Sequence, residues 1–148
     1  MHMTFTKGTG KYDRLEIVRP AGKPEHIECP KQGIIPHEMV HFAVEHTLQA
    51  RGFLHRIKEG EAARFRMTAE DQTDGVERLV EVIQADQWSG GGAAPAEILD
   101  LYRTTCSARN CSVLPVDAEA ILAIRGEVER LGARWSSVPV GGSLHLEL

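Results

Sequence analysis

The sequence predicts a single α+β domain: a small, mostly antiparallel sheet packed against about four helices. Three observations carry this reading. From Tyr12 to Val18, Leu15 and Ile17 alternate with Arg14 and Glu16, the period of a half-buried strand. The middle of the chain carries apolar residues at helical spacing. The end, Leu144-His145-Leu146-Glu147-Leu148, alternates again with its leucines inward. Strands at both ends with helices between them assemble most simply as one sheet covered by helices.

In order, Pro20-Ala21-Gly22-Lys23 is a turn, and Pro24 to Cys29 is a second strand that closes a hairpin. Pro30 to Gly33 interrupts it. Pro36 suits a first helical turn, because its missing N–H has no partner there anyway. The helix is expected to run from Pro36 to Arg51, with Gly52 as its stop. Phe53 to Ile57 forms a further short helical turn. Asp74 with Glu77 has the spacing of a capping box before Val76, Leu79, Val80 and Ile83. Pro95 opens the next helix, with Ile98, Leu99 and Tyr102 on one side. Asp117 caps the last, where Ile121, Ile124, Val128 and Leu131 share a face and Gly132 ends it. The last strand is expected beside the first hairpin. No linker divides the chain, so residues 1–148 form one domain.

Composition narrows the function. With 148 residues, 42% of them hydrophobic and 26% charged, the chain can bury a core. A net charge of −4 and the absence of any basic run argue against a nucleic-acid partner. Three cysteines, Cys29, Cys106 and Cys111, do not make a disulfide framework and fit a reducing compartment. No apolar run reaches the length of a membrane span, and the start lacks a signal core, so a cytoplasmic address without a membrane partner is expected. Met1-His2-Met3 reads in part as a cloning remnant, and His2 is given no weight.

The one pattern that carries chemistry is His37-Glu38-Met39-Val40-His41. On a helical wheel Met39, Val40, Ala43, Val44 and Leu48 face the core, while His37, Glu38, His41 and Glu45 fill an adjacent arc of about 100°. Histidines at i and i+4 stand one turn apart and can reach one zinc ion. A glutamate next to the first histidine can take a proton from a water that the metal acidifies. These five residues resemble the H-E-x-x-H motif of the zincin metallopeptidases. The resemblance implies His37 and His41 as metal ligands, Glu38 as catalytic base, zinc as cofactor, and a peptide or other small substrate. The extended zincin signature is absent, since Val44 and Thr47 stand where its glycine and third histidine would be. Glu45 lies about 12 Å along the axis from His37, too far to share an ion with both histidines. His46 points away. The third ligand is left open among Glu77, Glu81, His55 and a cysteine.

A second resemblance spans the first third of the chain. Gly10-Lys11-Tyr12-Asp13, a hairpin, and then Pro36-His37-Glu38-Met39-Val40-His41-Phe42 look like a group of small uncharacterised bacterial proteins in which aspartate can replace Glu38. It implies no activity.

Cys106 and Cys111 lack the second pair that a structural zinc site needs, and a mixed site with Cys29 or a histidine is a weaker alternative. Ser89-Gly90-Gly91-Gly92 is a connector, not a phosphate loop. Two function readings therefore stand together. One is a small soluble metal-binding protein, at its most specific a zinc-dependent hydrolase. The other is a non-enzymatic interaction or self-associating domain with no metal, favoured by a C-terminal strand open to pairing as a homo-oligomer.

Overall fold

A computed structural model describes residues 1–63 and 68–148. Its fold is α+β: one four-stranded sheet and five helices. The strands are β1 (His2–Thr6), β2 (Tyr12–Val18), β3 (Glu25–Pro30) and β4 (Ser143–Glu147), in the order β3-β2-β1-β4 with every pair antiparallel.

The last strand therefore joins the sheet through β1, not directly through the β2–β3 hairpin. β1 is the element that the sequence reading left out. Met3 stands opposite Ile17 and Leu146, and Phe5 opposite Leu15 and Leu144. All six are buried, so the same alternation runs across three strands. The other face is polar, tied by Thr4 Oγ1 to His145 Nδ1 at 3.0 Å and Thr6 Oγ1 to Ser143 Oγ at 2.9 Å.

The described residues also form five helices: α1 (His37–Leu48), α2 (Phe53–Lys58), α3 (Asp71–Trp88), α4 (Pro95–Arg109) and α5 (Ala118–Ser136). Their buried side chains merge with those of the sheet in one hydrophobic cluster. Asp117 caps α5 as expected, its Oδ1 accepting from the Ala120 N–H at 2.8 Å. Gly132 does not end that helix. The apolar stripe continues through Leu131 to a buried Trp135, and the helix follows it to Ser136. α3 starts at Asp71, earlier than the Asp74 cap predicts, and no side chain caps it. With Asp74 inside the helix the capping box does not form, and the Glu77 side chain is engaged by histidines of α1 instead. No helix among the described residues is long and apolar enough to cross a membrane.

The end of α1 is the most informative departure. The helix stops at Leu48, and Gln49 takes the left-handed conformation at φ 50°. Gly52 has another task. It precedes α2 in an extended conformation, and a Cβ built there would lie 2.6 Å from Glu45 Cδ and 2.6 Å from Val76 Cγ1. Only glycine lets the backbone approach the buried Glu45 carboxylate this closely. Gly52→Ala should therefore destabilise the protein by about 1–3 kcal/mol through overpacking. Urea unfolding would check this: an unchanged midpoint would mean that the contact is not tight.

Candidate metal centre

α1 and α3 run antiparallel in contact, and their facing residues build the site. His37 and His41 project from successive turns of α1 toward Glu77 on α3. The His41 Nε2 atom lies 2.9 Å from Glu77 Oε2, and His37 Nε2 lies 3.6 Å from Glu77 Oε1. The two imidazoles meet edge to face, with centroids 4.7 Å apart. One ligand atom from each of the three residues falls within 4.8 Å of the others, close enough to hold a metal ion. Ligands about 2.1 Å from a tetrahedral ion stand roughly 3.4 Å apart, so only small adjustments separate this geometry from a bound one.

The far nitrogens are also held. His37 Nδ1 is 3.0 Å from Gln84 Oε1, and His41 Nδ1 is 3.2 Å from Glu45 Oε2. Gln84 is oriented in turn by the Gln32 side-chain amide, which donates to it at 2.9 Å. With each Nδ1 beside an oxygen, each Nε2 is the nitrogen that faces Glu77, and at His41 a metal there would take the place of the proton. This outer-shell arrangement fixes tautomer and ring orientation in metal sites.

Glu45 is the hub of this support. It is fully buried and accepts hydrogen bonds from the backbone N–H groups of Gly52, Leu54 and His55 at 2.9–3.0 Å, and it lies 3.1 Å from His55 Nδ1. Burial opposes its ionisation. Hydrogen bonds from His41 and His55 outweigh that and bring its pKa down to about 2. Burial likewise opposes a charge on His41, but hydrogen bonds to Glu45 and Glu77, and their charges, push its pKa up to about 9. Glu77 is held below its ordinary value despite its partial burial, by the hydrogen bond and charge of His41.

The structure thus brings His37 and His41 together and adds Glu77 from the four candidates for a third ligand. Glu81 is turned to Arg78 at 2.9 Å, and His55 to Glu45. His46 stacks on Phe42 on another side of α1. The cysteines do not join the histidines. Cys29 is buried on β3 against Glu38, and burial followed by the Glu38 charge pushes its thiol pKa up. Glu38 itself is 8% exposed, and its Oε2 is buried without a hydrogen-bond partner among the described residues. Glu77 was legible only as one candidate, because nothing within α3 marks it. Gln84 has no sequence signal at all.

Exposure differs across the three candidate ligands. The His41 side chain is 2% exposed, while those of His37 and Glu77 are 35% and 31% exposed. A ligand entering from solvent would approach on the His37–Glu77 side.

No known protein family matches the sequence, and neither a curated protein nor a solved structure is significantly similar to the chain.

The shifted groups set the pH dependence of the metal-free protein. His41 is raised from 6.5 to about 9, so its stabilising contribution is full below pH 6.5 and is lost as pH rises through 9. Glu45 is lowered from 4.5 to about 2, so its contribution is full above pH 4.5 and is lost as pH falls through 2. The urea midpoint of chelator-treated protein should decline from pH 6.5 to 9 and again below pH 4.5. A flat profile over the alkaline window would contradict an imidazolium held between Glu45 and Glu77.

Proposed function

We propose that the protein is a zinc-dependent hydrolase, with His37, His41 and Glu77 as its metal ligands. The observation that supports this most is the state of the two histidines: both Nδ1 atoms are occupied by oxygens, and both Nε2 atoms converge on one carboxylate. Two histidines and one glutamate are the protein ligands of a catalytic zinc that keeps an open position, whereas structural zinc sites are closed by four protein ligands. The partial exposure of His37 and Glu77 supports such an open side.

When bound, zinc would supply Lewis acidity to a water or carbonyl at that position. The chain supplies the rest. His37 and His41 orient the site, and Gln84 and Glu45 hold their rings. Glu38 is assigned the base. The assignment rests on its place next to His37 in the motif; its carboxylate lies beside the Cys29 thiol, with one oxygen buried and without a hydrogen-bond partner among the described residues. A peptide or amide carbonyl is the substrate class that this chemistry serves.

One observation favours the metal-free alternative, a non-enzymatic interaction domain. An imidazolium at His41 between Glu45 and Glu77 is a complete ion-pair network without an ion. Elemental analysis of tag-free protein separates the two. The hydrolase reading expects about one zinc per chain, lost in His37→Ala and in Glu77→Gln. Parent protein without metal, even after incubation with zinc, would refute it. Glu38→Gln should keep the zinc but lower amide hydrolysis by roughly 100-fold or more, the scale of general-base catalysis. Full activity in that variant would remove Glu38 from the base role.

A further inference from the structure

We propose that Cys106 and Cys111 form a site of reversible oxidation, closing an intramolecular disulfide across the C-terminal cap of α4. The inference is independent of the metal centre.

The geometry begins in the backbone. Asn110 ends α4 in the left-handed conformation at φ 52°. The chain then doubles back, and the Cys111 N–H donates to the Cys106 carbonyl at 3.1 Å. This bond closes a Schellman-type turn, in which the residue beyond the cap contacts the residue five positions before it. An apolar pair ordinarily fills those two places. Here both are thiols. A disulfide needs its two Cβ atoms close and facing, and this turn brings the backbones of the two cysteines together through that 3.1 Å bond.

The segment after Cys111 is pinned. Ser112 N–H donates to Asp71 Oδ1 at 2.8 Å, and Leu114 N–H donates to the Tyr102 hydroxyl at 3.1 Å. The Tyr102 hydroxyl donates in turn to the Gly75 carbonyl at 2.8 Å. Tyr102 is fully buried, so this clamp holds the 111–114 segment against the start of α3. The two cysteines are therefore presented to each other from rigid supports. Cys29, the third free cysteine, is buried on β3 in the sheet.

Exposure sets the order of events. Cys111 is partly exposed and Cys106 is buried, so Cys111 meets a peroxide first. Its sulfur attacks the O–O bond, gives Cys111–SOH, and releases water once the thiol proton is transferred. The Cys106 sulfur then attacks the Cys111 sulfur. The S–S bond forms, the S–O bond breaks, and hydroxide leaves as water with the Cys106 proton. Two thiols give up two hydrogens and two electrons, and one peroxide becomes two waters. A dithiol reductant reverses the step.

The test uses the full chain treated with hydrogen peroxide and then alkylated. Trypsin cuts after Arg109, between the two cysteines, so the bond appears as a cross-linked pair of peptides, 104–109 with 110–125. The expected result is that pair in a monomeric protein, with Cys29 still alkylated and all three thiols recovered after dithiothreitol. In Cys106→Ser the reaction should stop at a Cys111 sulfenic acid that dimedone captures. Oxidised wild-type protein should melt no lower than reduced protein, because the bond spans a turn that the backbone has already closed. Cross-links through Cys29, a disulfide between two chains, or conversion of Cys111 to sulfinic acid without a bond to Cys106 would each overturn the proposal.

Discussion

A buried carboxylate with five hydrogen-bonding partners organises this molecule. Glu45 accepts from three amides at the start of α2 and contacts the imidazoles of His41 and His55. A fully buried carboxylate without partners would cost several kcal/mol, so the chain must deliver those donors. That requirement ends α1 at Leu48, turns the chain through Gln49, and places Gly52 where no side chain fits. The same carboxylate fixes the His41 ring, which sends its other nitrogen toward α3. Backbone path and side-chain chemistry thus share one constraint.

The candidate metal centre follows from the crossing of α1 over α3. Its ligands come from two helices, and its supports from α1, α3 and the loop before α1. Glu77 bridges two imidazoles, while Gln84, two turns further along α3, meets His37 from the other side. A proton on His41 and a metal ion at Nε2 are alternative ways to compensate the same two carboxylates, Glu45 and Glu77. The network is complete without an ion, and its three ligand atoms also lie close enough to hold one. This double capacity is why metal content, and not fold stability, discriminates between the two readings.

Much of the fold was legible because it is written in local periodicity. β2 matches the expected Tyr12 to Val18, the stripe from Ile121 to Leu131 is buried, and Leu144 and Leu146 face inward. β1 was missed although Met3 and Phe5 alternate with Thr4 and Thr6, because the segment is short and its start was set aside. Gly132 and Gly52 misled for one reason: glycine signals a helix end only when nothing nearby demands a close approach or extends the stripe. For the site, His37 and His41 could be found from spacing alone, and Glu77 only as one candidate among several. No rule of local pattern reaches Gln84, and Glu45 was recognisable as too distant for the ion but not as the support of His41.

The sequence by itself determined the α+β class and the pair of histidines one turn apart, because these rest on interactions between residues near in the chain. Tertiary structure decided which carboxylate completes the triad, which oxygens hold the Nδ1 atoms, and where β4 pairs. Apart from His41 with Glu45, four positions on, those contacts join residues 36 to more than 140 positions apart. Their partners are chosen by how helices and strands pack, and packing leaves no periodic trace in either segment alone.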